Sequence, residues 1–135
     1  MCNYRKVIDI DVYSARVKIY KSTNYISLYD NIKKDYRLSK KIIIAMKEGA
    51  NDEDGCTLEL ERKDGGIDFV ALLSDNKKIV STTIHEITHI STRILKSRGI
   101  KFKAYDDESL AYLISYLSEE ALNNKNYKNI SLNRK

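Results

Sequence analysis

From Lys77 to Arg98 the chain carries no glycine or proline, and Ile84, Ile87, Ile90 and Ile94 recur at three- and four-residue intervals. That spacing is helical, and Gly99 is the residue expected just past a helix end. Ile79 and Val80 widen the apolar surface, so the helix is buried on much of its circumference. Such a helix needs cover on more than one side. The rest of the chain must supply it.

Most of that material lies upstream. Lys6 to Tyr20 reads as extended chain, with Ile8, Ile10 and Val12 alternating against Asp9 and Asp11 in the period of a half-buried strand. Ser22-Thr23-Asn24 is cap material, and Tyr25, Tyr29, Ile32 and Tyr36 follow as a helical stripe. In Ile42-Ile43-Ile44-Ala45-Met46 the three adjacent isoleucines lean towards a buried strand, and Glu48 to Gly55 reads as an exposed acidic loop. A hairpin comes next. Cys56, Leu58 and Leu60 alternate with Thr57, Glu59 and Glu61, and Lys63-Asp64-Gly65-Gly66 turns the chain into a second strand, Ile67 to Leu73. Ser74, Asp75 and Asn76 are N-cap candidates for the long helix. A second helix opens after Asp106-Asp107 and runs to about Leu122 on a stripe of Leu110, Leu113, Ile114 and Leu117. Strands before and helices after predict an α+β class: an N-terminal strand and hairpin sheet packed on the long helix and a C-terminal helix. Residues 1–124 read as one domain and 125–135 as a basic tail.

Composition narrows the class further. With 135 residues, 42% hydrophobic and 32% charged, the chain suits a single globular domain and excludes collagen-like and disordered classes. No window approaches the run of apolar residues that a membrane-spanning helix needs, so no membrane partner is expected. Met1 to Asp11 is too short and too charged for a signal-peptide core, which predicts a chain that stays in the cytoplasm of the cell that makes it. Cys2 and Cys56 are too few for a disulfide framework and read as reduced thiols. The net charge of +5 is modest and spread out. Lys125, Lys128, Arg134 and Lys135 meet no acidic residue after Glu120. Such a tail can touch nucleic acid, but a solvated tail without a partner is the simpler reading. Abundant Lys, Ile, Asn and Tyr have AT-rich codons, pointing to a low-GC bacterium or a virus infecting one.

The chemistry concentrates at the two histidines. His85 and His89 are four apart in the long helix with Glu86 directly after the first, so both imidazoles lie on one face and can converge on one point. Shuffling this composition reproduces that His-Glu-x-x-His pattern in about one sequence in a thousand. Neutral imidazole suits Zn²⁺, and Glu86 projects far enough round to reach a water on the metal. Catalytic zinc usually takes three protein ligands. With no third histidine and no suitable cysteine, the third should be a carboxylate. Glu108, 19 residues after His89, is the best placed, since the chain can turn at Gly99 and return beside the first helix. Asp106 and Asp107 are the alternatives; Asp107 otherwise reads as an N-cap.

His85-Glu86-Ile87-Thr88-His89 with Glu108 on a following helix resembles the glutamate-type zincin metallopeptidases. The region from Ile67 to Tyr116 is also similar to compact zincin-like proteins of bacteriophages. In those the active helix is followed by Glu-x-x-Ala-Tyr, here Glu108-Ser109-Leu110-Ala111-Tyr112. The likeness covers rather more than a third of the chain. The elongated metzincin motif is absent, because Thr92 and Leu95 hold its glycine and third-histidine positions. Tyr112 stands where glutamate-type zincins often carry an aspartate four residues after the ligand.

The resemblance implies a small zincin-like domain in which His85, His89 and Glu108 hold Zn²⁺ and Glu86 is the general base for hydrolysis of a peptide or protein substrate. Tyr112 and Tyr105 are the oxyanion-donor candidates. The strand Ile67 to Leu73 is expected to be the sheet edge to which an extended peptide adds. The competing expectation is a structural or interaction protein with a non-catalytic metal site, for example a virion component with other virion proteins as partners.

Overall fold

The computed structural model describes residues 3–24, 27–52, 54–101 and 107–130, with backbone alone for residues 48–52. In chain order the elements are β1 (Asn3–Ile10), a 3₁₀ turn (Asp11–Tyr13), β2 (Ala15–Ser22), α1 (Leu28–Asp35), β3 (Tyr36–Arg37) and α2 (Lys40–Asp52). The hairpin strands β4 (Gly55–Arg62) and β5 (Ile67–Ser74), then α3 (Ile79–Ser97), α4 (Glu108–Leu122) and β6 (Lys128–Asn129) complete them. The class is α+β.

One sheet runs β3-β4-β5-β2-β1-β6. All its pairs are antiparallel except β2 with β5. Phe69-Val70-Ala71-Leu72-Leu73 explains the centre, since five apolar residues in succession suit a strand covered on both faces. Phe69, Ala71 and Leu73 join Val17 and Ile19 against Ile87, Ile90 and Ile94 of α3 and Leu113 and Leu117 of α4. Val70 and Leu72 join Tyr20 against Leu28 and Ile32 of α1 and Met46 of α2. Helices therefore cover both faces of the sheet, α3 and α4 the upper and α1 and α2 the lower.

The lower layer corrects three expectations. Residues 42–46 are helical, because Ser39 caps them: its hydroxyl accepts from the Ile42 N–H at 3.2 Å and its carbonyl from Ile43. The acidic segment from Glu48 continues that helix to Asp52 and is not a loop. Tyr36 leaves the helical stripe and enters β3. Lys6 to Tyr20 is likewise two strands broken by the 3₁₀ turn, where Ser14 adopts the left-handed conformation at φ 49°.

On the lower face β5 also carries a charge. Asp68 is fully buried, accepting from the Tyr36 hydroxyl at 2.6 Å and from Arg16 Nε at 3.1 Å, and it is bonded to Arg62. Lys18 Nζ stands 3.8 Å away, over the Tyr36 ring. Burial opposes ionisation of Asp68, but the Tyr36 hydroxyl and the two guanidiniums outweigh it and hold its carboxyl below the ordinary range. Burial and the neighbouring Tyr20 and Asp68 push the Tyr36 hydroxyl well above its usual range, so it remains the donor.

Residues 120–130 fold back onto β1. Lys6 is buried and donates to the carbonyl of Glu120 and, at 2.7 Å, to that of Asn123, satisfying the exposed end of α4. The Tyr127 hydroxyl bonds the Ala121 carbonyl at 2.8 Å, and Ile130 N–H bonds the Asn3 carbonyl at 2.8 Å.

Candidate metal centre

The helix that carries the histidines is fixed at both ends. At its start the Asn76 side chain accepts from the Lys78 N–H at 2.8 Å, and the Asn76 carbonyl accepts from Ile79. At its end Gly99, at φ 76°, lets Ile100 N–H reach the Leu95 carbonyl and its own N–H reach Lys96, closing a Schellman motif. Ile100 then packs on the upper core. Asp107 is the N-cap residue of α4, its carbonyl accepting from the Ala111 N–H at 2.9 Å, while its side chain makes no capping bond.

His85 and His89 emerge one turn apart on the exposed face of α3, and not against the core. Their rings meet edge to face with centroids 4.8 Å apart, and the two Nε2 atoms are 3.3 Å apart. Two Zn–N bonds of about 2.0–2.1 Å at a tetrahedral angle place their nitrogens about 3.3–3.4 Å apart. The pair therefore fits two corners of a zinc tetrahedron. An N–H···N bond between neutral imidazoles fits the same separation.

Glu86 turns the other way, into the seam between α3 and β4. It is 6% exposed, and the Thr57 hydroxyl donates to its Oε1 at 2.7 Å. Arg93, two turns further along α3, donates to the Thr57 carbonyl at 3.2 Å. Gly55 makes this seam possible: a Cβ there would stand 2.9 Å from Thr82 Cγ2 and 3.0 Å from the Leu72 carbonyl. Asp54, His85 and Glu86 border a cavity of about 400 Å³ at the mouth of the seam. Asp54 is held there by Asn76 at 3.0 Å and Lys78 at 3.6 Å.

The sheet edge beside this cavity is β4. The strand Ile67 to Leu73 lies inside the sheet between β4 and β2, which corrects its expected position at the edge. β3 pairs only with Glu61 and Arg62, so among the described residues Gly55 to Leu60 has no strand on its outer side.

Glu108 opens α4, and both it and Tyr112 border a different cavity, with Asp9, Asp11 and Tyr13. Among the described residues no group of three His, Cys, Asp or Glu side chains is placed to hold a metal ion. Tyr105 and Asp106 lie outside the described residues. Sequence reasoning missed Thr57 and Arg93. The alternation of the hairpin marked Thr57 as polar, and only the packing of α3 on β4 shows that its polar face meets Glu86.

No protein-family model, curated protein or solved structure matches the chain. No helix among the described residues is long and apolar enough to cross a membrane.

Proposed function

We propose that the chain is a zinc-dependent peptidase whose metal sits on His85 and His89 and whose general base is Glu86. The observation that carries this reading is the 3.3 Å separation of the two exposed Nε2 atoms, with a carboxylate one residue on beside an open strand edge. Zinc bound there supplies Lewis acidity, bringing the pKa of water to about 7 and polarising a carbonyl. Gly55 to Leu60 binds the substrate backbone as an added strand. Glu86 accepts a proton from the attacking water as the C–O bond forms, and delivers it to the amine nitrogen as the C–N bond breaks. Glu108 is the proposed third ligand and Tyr112 the proposed oxyanion donor. We place the protein in the cytoplasm of a bacterium or an infected host, with a peptide or protein as substrate.

One observation favours a second reading. The Glu86 carboxylate already ties α3 to β4 through Thr57, a structural task that an interaction protein of a virion also needs.

Zinc stoichiometry is the first test. Purified protein is expected to hold about one zinc per chain, and His85→Ala and His89→Ala each to lose it. Elemental analysis and native mass spectrometry read the result. Glu108→Ala should lower zinc affinity by far more than Asp107→Ala. Folded wild type that stays zinc-free in excess zinc would sink the metal site; zinc retained by Glu108→Ala would remove only that ligand.

A further inference from the structure

A cavity of about 580 Å³ lies between the β1–β2 connection and the first turns of α4. Its floor is apolar, made by Ile10 at 6% exposure and Leu113 at 4%. Tyr13, Tyr112 and Tyr116 stand around it, and Tyr112 is 76% exposed, unusual for so large a side chain without a covering partner. Its acidic lining is Asp11 and Glu108; Asp9 borders it too, but its side chain lies on the other face of the sheet with its cross-strand partner Arg16.

Those carboxylates have no ion-pair partner among the described residues. Asp9 and Asp11 also border a neighbouring cavity with Arg16, Arg62 and Arg98, none of which lines the groove itself. Arg16 and Arg62 bond Asp68, and Arg98 bonds the carbonyls of Tyr13 and Ser14 at 2.6 and 3.0 Å. The positive end of the α4 dipole, about half a charge, opposes a cation here; Glu108 more than offsets it. On a chain of net charge +5, an acidic and aromatic groove runs against the average composition.

We propose that this groove docks a lysine or arginine side chain of a basic peptide segment. The chemistry selects that occupant in two steps. Ring faces and carboxylates both attract a cation, and guanidinium or ammonium over tyrosine is a favourable contact. The apolar floor takes the methylene stem, which a small inorganic cation lacks. Neither histidine borders this groove; Glu108 and Tyr112 are the residues it shares with the proposed metal site, and Asp11, Tyr13 and Tyr116 belong to the groove alone.

Three hexapeptides of alternating leucine with lysine, norleucine or glutamate provide the test, titrated into the full chain and followed by NMR. The lysine peptide is expected to bind at least about tenfold tighter than either control, shifting the ring signals of Tyr112 and Tyr116, and to weaken at high salt. The variant Asp11→Asn should lose most of that preference while its zinc content and melting temperature remain those of wild type. Tyr112→Ser, at an exposed position, should weaken the lysine peptide as well. Equal binding of the lysine and norleucine peptides, binding of none, or an Asp11→Asn variant with wild-type preference overturns the proposal. Loss of zinc alone, with the lysine preference intact, overturns the metal reading instead.

Discussion

Replacing Glu86 with glutamine is expected to lower peptide hydrolysis by about 10²–10⁴-fold, with zinc content and melting temperature unchanged. Glutamine keeps an oxygen to accept the Thr57 hydroxyl, which now lies 2.7 Å from Glu86 Oε1, so the tie between α3 and β4 survives. Its amide cannot take a proton from water. Glu86→Ala removes the side-chain acceptor as well, leaves the Thr57 hydroxyl only the Glu86 main-chain carbonyl at 3.4 Å, and should destabilise the fold by about 1 kcal/mol. If the protein is a virion interaction module, Glu86→Gln will match wild type in every assay and only Glu86→Ala will show a defect. Zinc-loaded wild type that cleaves nothing across a broad peptide library defeats the peptidase proposal.

The second large effect belongs to Asp68. Asp68→Asn should destabilise the protein by about 3 kcal/mol, the lower end of the range for breaking a buried charge network. Arg16 and Arg62 are partly exposed and can turn to water, which limits the loss. Lys18, with a side chain 11% exposed and its charge already disfavoured by burial, loses the first of the two carboxylates, Asp68 and Asp35, that support it. Urea unfolding reads the difference. The pH dependence has a definite sign: a carboxyl whose folded pKa is depressed contributes stability above its unfolded value, and loses it as pH falls through the folded one. Wild-type stability should therefore drop as pH falls below about 4, and Asp68→Asn should lack that component. An unchanged urea midpoint in the variant would refute the role assigned to Asp68.

The parts legible in the sequence are those set by local pattern. α3, α4 and the β4–β5 hairpin follow from periodicity, turn glycines and Gly99, each acting within a few residues. Residues 42–46 misled because β-branched isoleucines favour strands, while the decisive signal was the Ser39 cap three residues earlier. Ile44 is 56% exposed, which a buried strand would not permit. The position of β5 rests on its parallel pairing with β2, a contact across the whole of α1, α2 and β4 that no local pattern encodes. At the site, His85, Glu86 and His89 were readable because helical geometry alone brings them together. Thr57, Arg93 and the open edge of β4 depend on which strand α3 lies against. That is a tertiary fact.

The seating of Lys6 on the end of α4 bears on how the chain is made. A ribosome releases β1 early, yet the carbonyls that receive Lys6 belong to residues 114 and 117 positions later. The hairpins of the sheet can assemble as they emerge, but the outer side of β1 waits for residues 120–130. Closing so long a loop comes late and contributes to slow, non-local folding. Through that interval the nascent sheet has an unfinished border at β1 as well as at β4. A fusion or stop placed before Tyr127 would make the interval permanent, and association through β1 is the outcome to watch for in shortened versions of the protein.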